Sequence, residues 1–281
     1  MSFWKKLGAA GVVVMMLSAA GVAGAAVNSI RTRGSGSGPV ASMTCPGGMS
    51  RLGHPFAEDM TVFEFDPAVH ISNEYTVDPH GFLVEDIDMG SHAGTHLDAP
   101  AHFIEDGRTV DELMADEFIW PVYKIDVREM DLTDGLLEWS DIRTYERKHG
   151  KIAKGSLVVL RTGAEEFWGA EEVLVDEDDN AANVDDFFAF ENAGFSGAAV
   201  QALFDRRNID GIGSDAYGPD AYSDGFFDAT YTALANDGVA LVALANLDNV
   251  NVSGDVIFAS TVALEGGSGF STDPIACHGR R

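Results

Sequence analysis

One short segment constrains this chain more than any other. Residues 91–103 read SHAGTHLDAPAHF and place His92, His96, Asp98 and His102 within eleven residues. All four positions are even-numbered, so an extended backbone projects them to one side. A continuous helix is disfavoured here, because Gly94 and Pro100 interrupt it and Asp98 leaves the helical face shared by His92 and His96. The segment therefore predicts a strand or turn that gathers three imidazoles and a carboxylate on one surface. That ligand set suits a transition metal such as Zn or Mn and leaves coordination positions free for water. Gly94 allows close backbone approach, and Thr95 can orient a ligand by hydrogen bonding. The chain has eight histidines, and three of them fall in this one segment.

The remaining sequence supplies a core on which such a site can sit. Hydrophobic residues are 46 % of the 281, and aromatic residues 10 %. These values exclude a disordered or collagen-like chain, and two cysteines exclude a small disulfide scaffold. Forty-five acidic against 18 basic residues give a formal charge of -27. Such a field repels phosphate backbones and argues against a nucleic-acid partner. It suits a halophilic setting, where a Debye length of about 3 Å screens the self-repulsion.

The N-terminus reads as a targeting segment. Lys5 and Lys6 precede an uncharged stretch over residues 7–30, and Ala23-Gly24-Ala25 forms an A-x-A processing site. A signal peptide over residues 1–25 and an exported, extracellular or periplasmic protein follow. The same stretch is long enough to serve instead as an uncleaved membrane anchor. Residues 26–48 contain RTRGSGSGP, a flexible Gly/Ser linker. Residues 49–281 are then expected to form one domain. Cys45 and Cys277 lie near the two ends of that domain. An exported protein invites their pairing, and two free thiols in loose termini are the alternative.

Short apolar runs bounded by Gly, Asp or Pro predict strands over 82–88, 122–127, 157–161, 209–212, 239–244 and 256–262. Helical patterns cover 137–149, 197–207 with Ser196 as N-cap, and, more weakly, 226–236. This alternation predicts a mixed α/β fold with a β-rich core. The acidic run over 171–186 carries eight Asp or Glu residues but lacks the spacing of a calcium loop. It reads as a solvated surface loop. Phe63, Phe65 and Phe82 are expected to pack the core.

The pattern H-x-G-T-H-x-D-x-P-x-H-F resembles the signature of the cyclase family of metal-dependent hydrolases, which includes bacterial kynurenine formamidase and isatin hydrolase. Leu52-Gly53-His54-Pro55, the strand at 120–127, LVVLRTGAEEFW at 157–168 and AGFSGAAVQALFDRRNIDGIGSDAYGPD at 193–220 extend the resemblance over about residues 50–265. It implies a compact single-domain α/β fold with a β-barrel-like core and peripheral helices, commonly as a homo-oligomer. It also implies His92, His96 and Asp98 as metal ligands and His102 as general base or proton shuttle. Ser214 and Asp215 are weaker candidates for substrate contact, and His54 for a turn or the pocket.

The family's second metal site departs from pattern here. Counting back from Gly238 puts Tyr231 at the expected His position and Val242 or Ala243 at the expected Glu position. Asp224 or Asp228 would be the remaining substitutes. One divalent metal per chain, Mn or Zn, is therefore expected. The implied activity is hydrolysis of a C–N bond in a small amide, either an N-formyl aryl amide such as N-formylkynurenine or a cyclic amide such as isatin. The alternative is a catalytically silent metal- or ligand-binding protein of the same fold. A lactonase or dehydratase-like cyclase is a third reading.

Overall fold

The computed structural model describes residues 45–280 apart from 59, 64, 170, 176–180 and 186–189. Both N-terminal expectations, the leader and almost all of the linker, lie outside these residues. Nine strands form the main sheet: β1 (Met49–Arg51), β2 (His96–Asp98), β3 (Ile119–Asp126), β4 (Leu157–Arg161), β5 (Gly211–Ser214), β6 (Val239–Val242), β7 (Ser253–Phe258), β8 (Gly269–Ser271) and β9 (Ile275–Cys277). Their order is β1-β9-β7-β3-β4-β5-β6-β2-β8. The strands β3, β4, β5 and β6 run parallel, and antiparallel pairs flank them on both sides. The sheet curls into a half-barrel, as the family resemblance implies.

The parallel strands are apolar at nearly every position because both of their faces are covered. Leu157, Val159, Val239 and Leu241 join Trp120, Leu52 and Leu97 in one core. The intervening residues Val158, Leu160, Ala240 and Val242 pack on the other face, beneath the helices. Those helices are α1 (Trp139–His149), α2 (Gly197–Arg207) and α3 (Asp228–Ala235). The Ser196 hydroxyl accepts a hydrogen bond from the Ala199 N–H at 3.1 Å, capping α2 as its sequence predicts. Helix α1 starts at Trp139 rather than at residue 137. Leu136–Leu137 pairs instead with Gly194–Phe195, and Glu138 becomes the N-cap.

Several strand bounds shift: 122–127 becomes Ile119–Asp126, 209–212 moves to Gly211–Ser214 and 239–244 ends at Val242, and two changes are larger. The run at 82–88 begins its strand at Val84 and pairs with His70–Tyr75 in a separate hairpin. That strand is exposed along its whole length, and Phe82 is exposed rather than in the core. The run at 256–262 is displaced toward the N-terminus, ending at Phe258. Of the acidic run, Glu171–Val175 and Ala181–Asp185 pair as an antiparallel hairpin rather than an irregular loop.

Cys45 and Cys277 form a disulfide that spans 232 positions of sequence. Beside it the buried carboxylate of Asp255 gathers the C-terminal segment. It accepts from the Asn251 N–H (2.8 Å), the Asn251 amide (2.7 Å) and the Gly279 N–H (2.8 Å), and it pairs with His278 Nδ1 at 2.7 Å. Burial alone raises the Asp255 pKa, but these donors outweigh it and hold the carboxyl below its ordinary 3.8. The folded state therefore binds its proton less readily than the unfolded chain. The resulting stability is present above about pH 4 and fades as pH falls through the lower, folded pKa. Asp255→Asn is expected to cost about 2 kcal/mol at pH 7. Urea midpoints measured against pH should show the gap from wild type narrowing below about pH 4.

Candidate metal centre

Strand β2 supplies the first two site residues. It lies between β6 and β8, with His96 opposite Val242 and Ser271, and Asp98 opposite Ala240 and Gly269. Alternation along the strand sends His96 and Asp98 to one face and Leu97 into the core. His92 comes from the preceding turn, which bends back through Gly94 at φ +65°. The left-handed backbone there favours glycine, and a Cβ would also press on the Met60 Cε at 2.6 Å. His92 packs on Gly269, where a Cβ would lie 2.6 Å from its ring.

Three potential ligand atoms, one each from His92, His96 and Asp98, lie within 4.8 Å of one another. His92 Nδ1 is 2.8 Å and His96 Nε2 3.2 Å from the same oxygen, Asp98 Oδ1. The opposite nitrogen of each ring is engaged elsewhere. His96 Nδ1 donates to the Gly94 carbonyl at 2.7 Å, and His92 Nε2 meets the Ser268 hydroxyl at 2.9 Å. This arrangement orients both rings and leaves the inner nitrogens to converge on the carboxylate, a set that could hold a divalent metal.

Electrostatics separates the members of the cluster. Burial raises the Asp98 pKa, but the charge of His96 and the hydrogen bonds from both imidazoles overcome it and hold the carboxyl far below the usual range. Burial disfavours a charged His96, and Asp98 outweighs that effect and raises its pKa. His102 closes the short 3-10 turn Pro100–His102 and stacks on His92 with ring centroids 4.0 Å apart. Its pKa is lowered, first by burial and then by the neighbouring imidazoles, against the pull of Asp98.

These residues line a cleft of about 250 Å³ with Asp66, Phe63, Phe65, Phe103, Tyr217 and Phe227. Phe65 is 81 % exposed, so it and Phe63 form the cleft wall rather than core packing. The Tyr217 hydroxyl donates to Asp66 Oδ2 at 2.8 Å, and its ring stacks on Phe63 at 5.3 Å. Neither Tyr217 nor Asp66 carries a signal in sequence, because isolated tyrosines and aspartates are common in an acidic chain.

Ser214 and Asp215 stand elsewhere. Both are 0 % exposed, and neither lines the cleft. Asp215 accepts from Thr162 N–H (2.7 Å), Thr162 Oγ1 (2.8 Å) and Gly163 N–H (2.8 Å), while Ser214 Oγ accepts from Ala216 N–H at 3.0 Å. They hold the turn after β4 and the end of β5. Helix α3 presents Thr230 to the cleft, and Tyr231 is 51 % exposed. Thr230 is held by Asp220, whose pKa burial pushes up to about 6. Asp224 accepts from the Phe226 and Asp228 N–H groups. Val242 packs in the core and Ala243 accepts from Thr95. His54 is outside the cleft lining and stacks on Trp168 at 4.1 Å.

The Cyclase family model, described as "Putative cyclase", matches residues 50–221. The chain belongs to the cyclase family. An isatin hydrolase from Roseibium aggregatum is 31 % identical over 212 residues, covering 72 % of this chain and 77 % of the relative. Isatin hydrolase A from Labrenzia aggregata, solved with benzyl benzoate, superposes with a TM-score of 0.70 at 26 % identity, covering 83 % and 94 % of the two chains. An isatin hydrolase solved with the product analogue thioisatinate gives 0.69 at 26 % identity, covering 81 % of this cyclase-family chain and 91 % of the other.

Thr95 joins three parts of this centre. Its buried hydroxyl donates to the Ala243 carbonyl at 2.5 Å and accepts from the His54 N–H at 3.0 Å. Thr95→Val keeps the shape and strands both partners, so it should cost about 2–4 kcal/mol in urea unfolding.

Proposed function

We propose that this cyclase-family protein is a metal-dependent hydrolase that opens the C–N bond of a cyclic aryl amide of the isatin class. The carrying observation is the convergence of His92, His96 and Asp98 beside an aromatic-walled cleft. The cyclic amide is favoured over an N-formyl amide because the relatives at 31 % and 26 % identity are isatin hydrolases. Phe63, Phe65, Phe103 and Phe227 suit a flat aromatic ring.

His92, His96 and Asp98 would hold one Mn or Zn ion, which supplies Lewis acidity toward the scissile carbonyl and toward water. His102 is the general base. Stacked on His92 at the cleft, it takes a proton from the attacking water as the new C–O bond forms. It returns that proton to the nitrogen as the C–N bond breaks, leaving an amine and a carboxylic acid that releases its own proton to solvent to become the carboxylate. Ser268 and the Gly94 carbonyl keep the ligand rings in place throughout. The N-terminal leader pattern and the Cys45–Cys277 disulfide support an exported protein, and the family resemblance supports a homo-oligomer.

The test starts with protein purified in high salt and supplied with Mn or Zn. Elemental analysis should find about one ion per chain, lost in His96→Ala. His102→Ala should keep the ion while kcat toward isatin falls by about 100-fold or more. Unaltered turnover in that variant would show that the base is another group. An ion bound without turnover of any cyclic or formyl amide would make the protein a silent binder, and no ion at all would overturn the hydrolase reading.

A further inference from the structure

A second set of chemically competent side chains lies where the two ends of the described fold meet. Ser50 is in β1, the edge strand of the main sheet, and His278 directly follows β9 beside it. Ser50 Oγ lies 2.8 Å from His278 Nε2, and His278 Nδ1 lies 2.7 Å from Asp255 Oδ2. In the neutral imidazole Nδ1–H donates to Asp255, which leaves Nε2 to accept the serine proton. That relay makes a serine hydroxyl nucleophilic.

The supports of the relay are built in. Asp255 is 1 % and His278 7 % exposed, while Ser50 is half-buried. Asp255 takes its three further hydrogen bonds from Asn251 and Gly279, so its orientation is fixed independently of His278. The disulfide at Cys277 anchors the residue before the imidazole. None of the three residues lines the metal cleft.

An oxyanion donor stands next to the nucleophile. The His278 N–H bonds the Gly48 carbonyl at 3.0 Å and the Leu52 N–H bonds the Pro274 carbonyl at 2.7 Å, with Ser50 in register with Ala276. The ladder thus uses the even positions of β1, and antiparallel alternation turns the Arg51 N–H away from β9, off the sheet edge. The N–H of the residue after a nucleophilic serine is a position from which an oxyanion can be stabilised.

We propose that Ser50, His278 and Asp255 form a second catalytic centre, a serine esterase site for small activated carboxylic esters. Ser50 Oγ bonds to the ester carbonyl carbon as His278 Nε2 takes the hydroxyl proton, and the Arg51 N–H faces the developing oxyanion. The ester C–O bond then breaks, and His278 hands its proton to the departing alkoxide. Water, deprotonated by His278, cleaves the acyl-Ser50 bond, and the serine recovers its proton as the acid leaves. The site lies on the sheet edge between exposed Met49 and Arg51, where the Asn246 amide donates to the Arg51 carbonyl at 3.1 Å. It therefore favours esters with good leaving groups over those that depend on deep binding.

The full-length protein is treated with a fluorophosphonate probe and, separately, assayed with p-nitrophenyl acetate, each with and without a chelator. Peptide mass spectrometry should place the phosphonyl group on Ser50 at a rate the chelator does not change. Ser50→Ala should lower labelling and acetate release by about 100-fold while isatin turnover stays as in wild type. His278→Gln, checked for folding by its melting curve, should lower both as strongly. Absence of the label from Ser50, or equal acetate release by Ser50→Ala, would overturn the proposal and leave the relay as a fastening for the C-terminus.

Discussion

The pairing of β2 on both of its edges is the constraint from which the candidate metal centre follows. Hydrogen bonds to β6 and β8 lock three residues into a flat, alternating backbone. Leu97 is thereby committed to the core, and His96 and Asp98 must share the opposite face. A slip of one residue would bury both ligands among Leu157 and Leu241 and present leucine to the cleft. Burying a carboxylate and an imidazole on the other face is tolerable because they face each other and His92. Charge and hydrogen bonding there outweigh desolvation, which is why the Asp98 pKa falls despite its burial.

Around that strand, buried polar groups are spent on holding turns in place. Thr95 ties the His54 turn to Ala243, Ser268 orients His92, and Asp215 fixes the turn after β4. Loss of Thr95 or Asp215 strands backbone donors or acceptors in a buried region, and loss of Ser268 frees the half-buried His92 ring. Asp255 does the same at the other end of the sheet, where the disulfide and the Ser50–His278 contact converge. The rigid half-barrel thus carries two clusters of imidazole and carboxylate at separate places, with different neighbours. One has three ligand atoms gathered about a point, and the other has a linear chain of donors and acceptors.

Much of this was legible in the residues. The β4 and β6 strands are short apolar runs whose character does not depend on which neighbours cover them, whereas β5, Gly211–Ser214, lies two residues past the run at 209–212. Ser196 and the apolar face of α2 announce a capped helix, and 91–103 announces a candidate ligand set by composition alone. What misled were residues with more than one acceptable environment. Phe63 and Phe65 are as apolar as any core residue, yet a loop tied by Tyr217 to Asp66 places them on the cleft wall. Ser214 and Asp215 have the chemistry of a substrate contact, but the Thr162–Gly163 turn claims the Asp215 carboxylate first.

By itself the sequence determined the α/β class, the short segment that carries His92, His96, Asp98 and His102, and the family to which the chain belongs; only His96–Asp98 of that segment is strand, with His92 in a turn and His102 in a 3-10 turn. These depend on periodicity and short-range spacing, which act over a few residues. Tertiary structure alone decided that Thr230 rather than Tyr231 faces the cleft, that Ser268 and Gly269 seat His92, and that Ser50 meets His278 across 228 positions of chain. Those contacts arise from how strands order in a sheet. That order is set by the burial of whole faces rather than by any local pattern of residues.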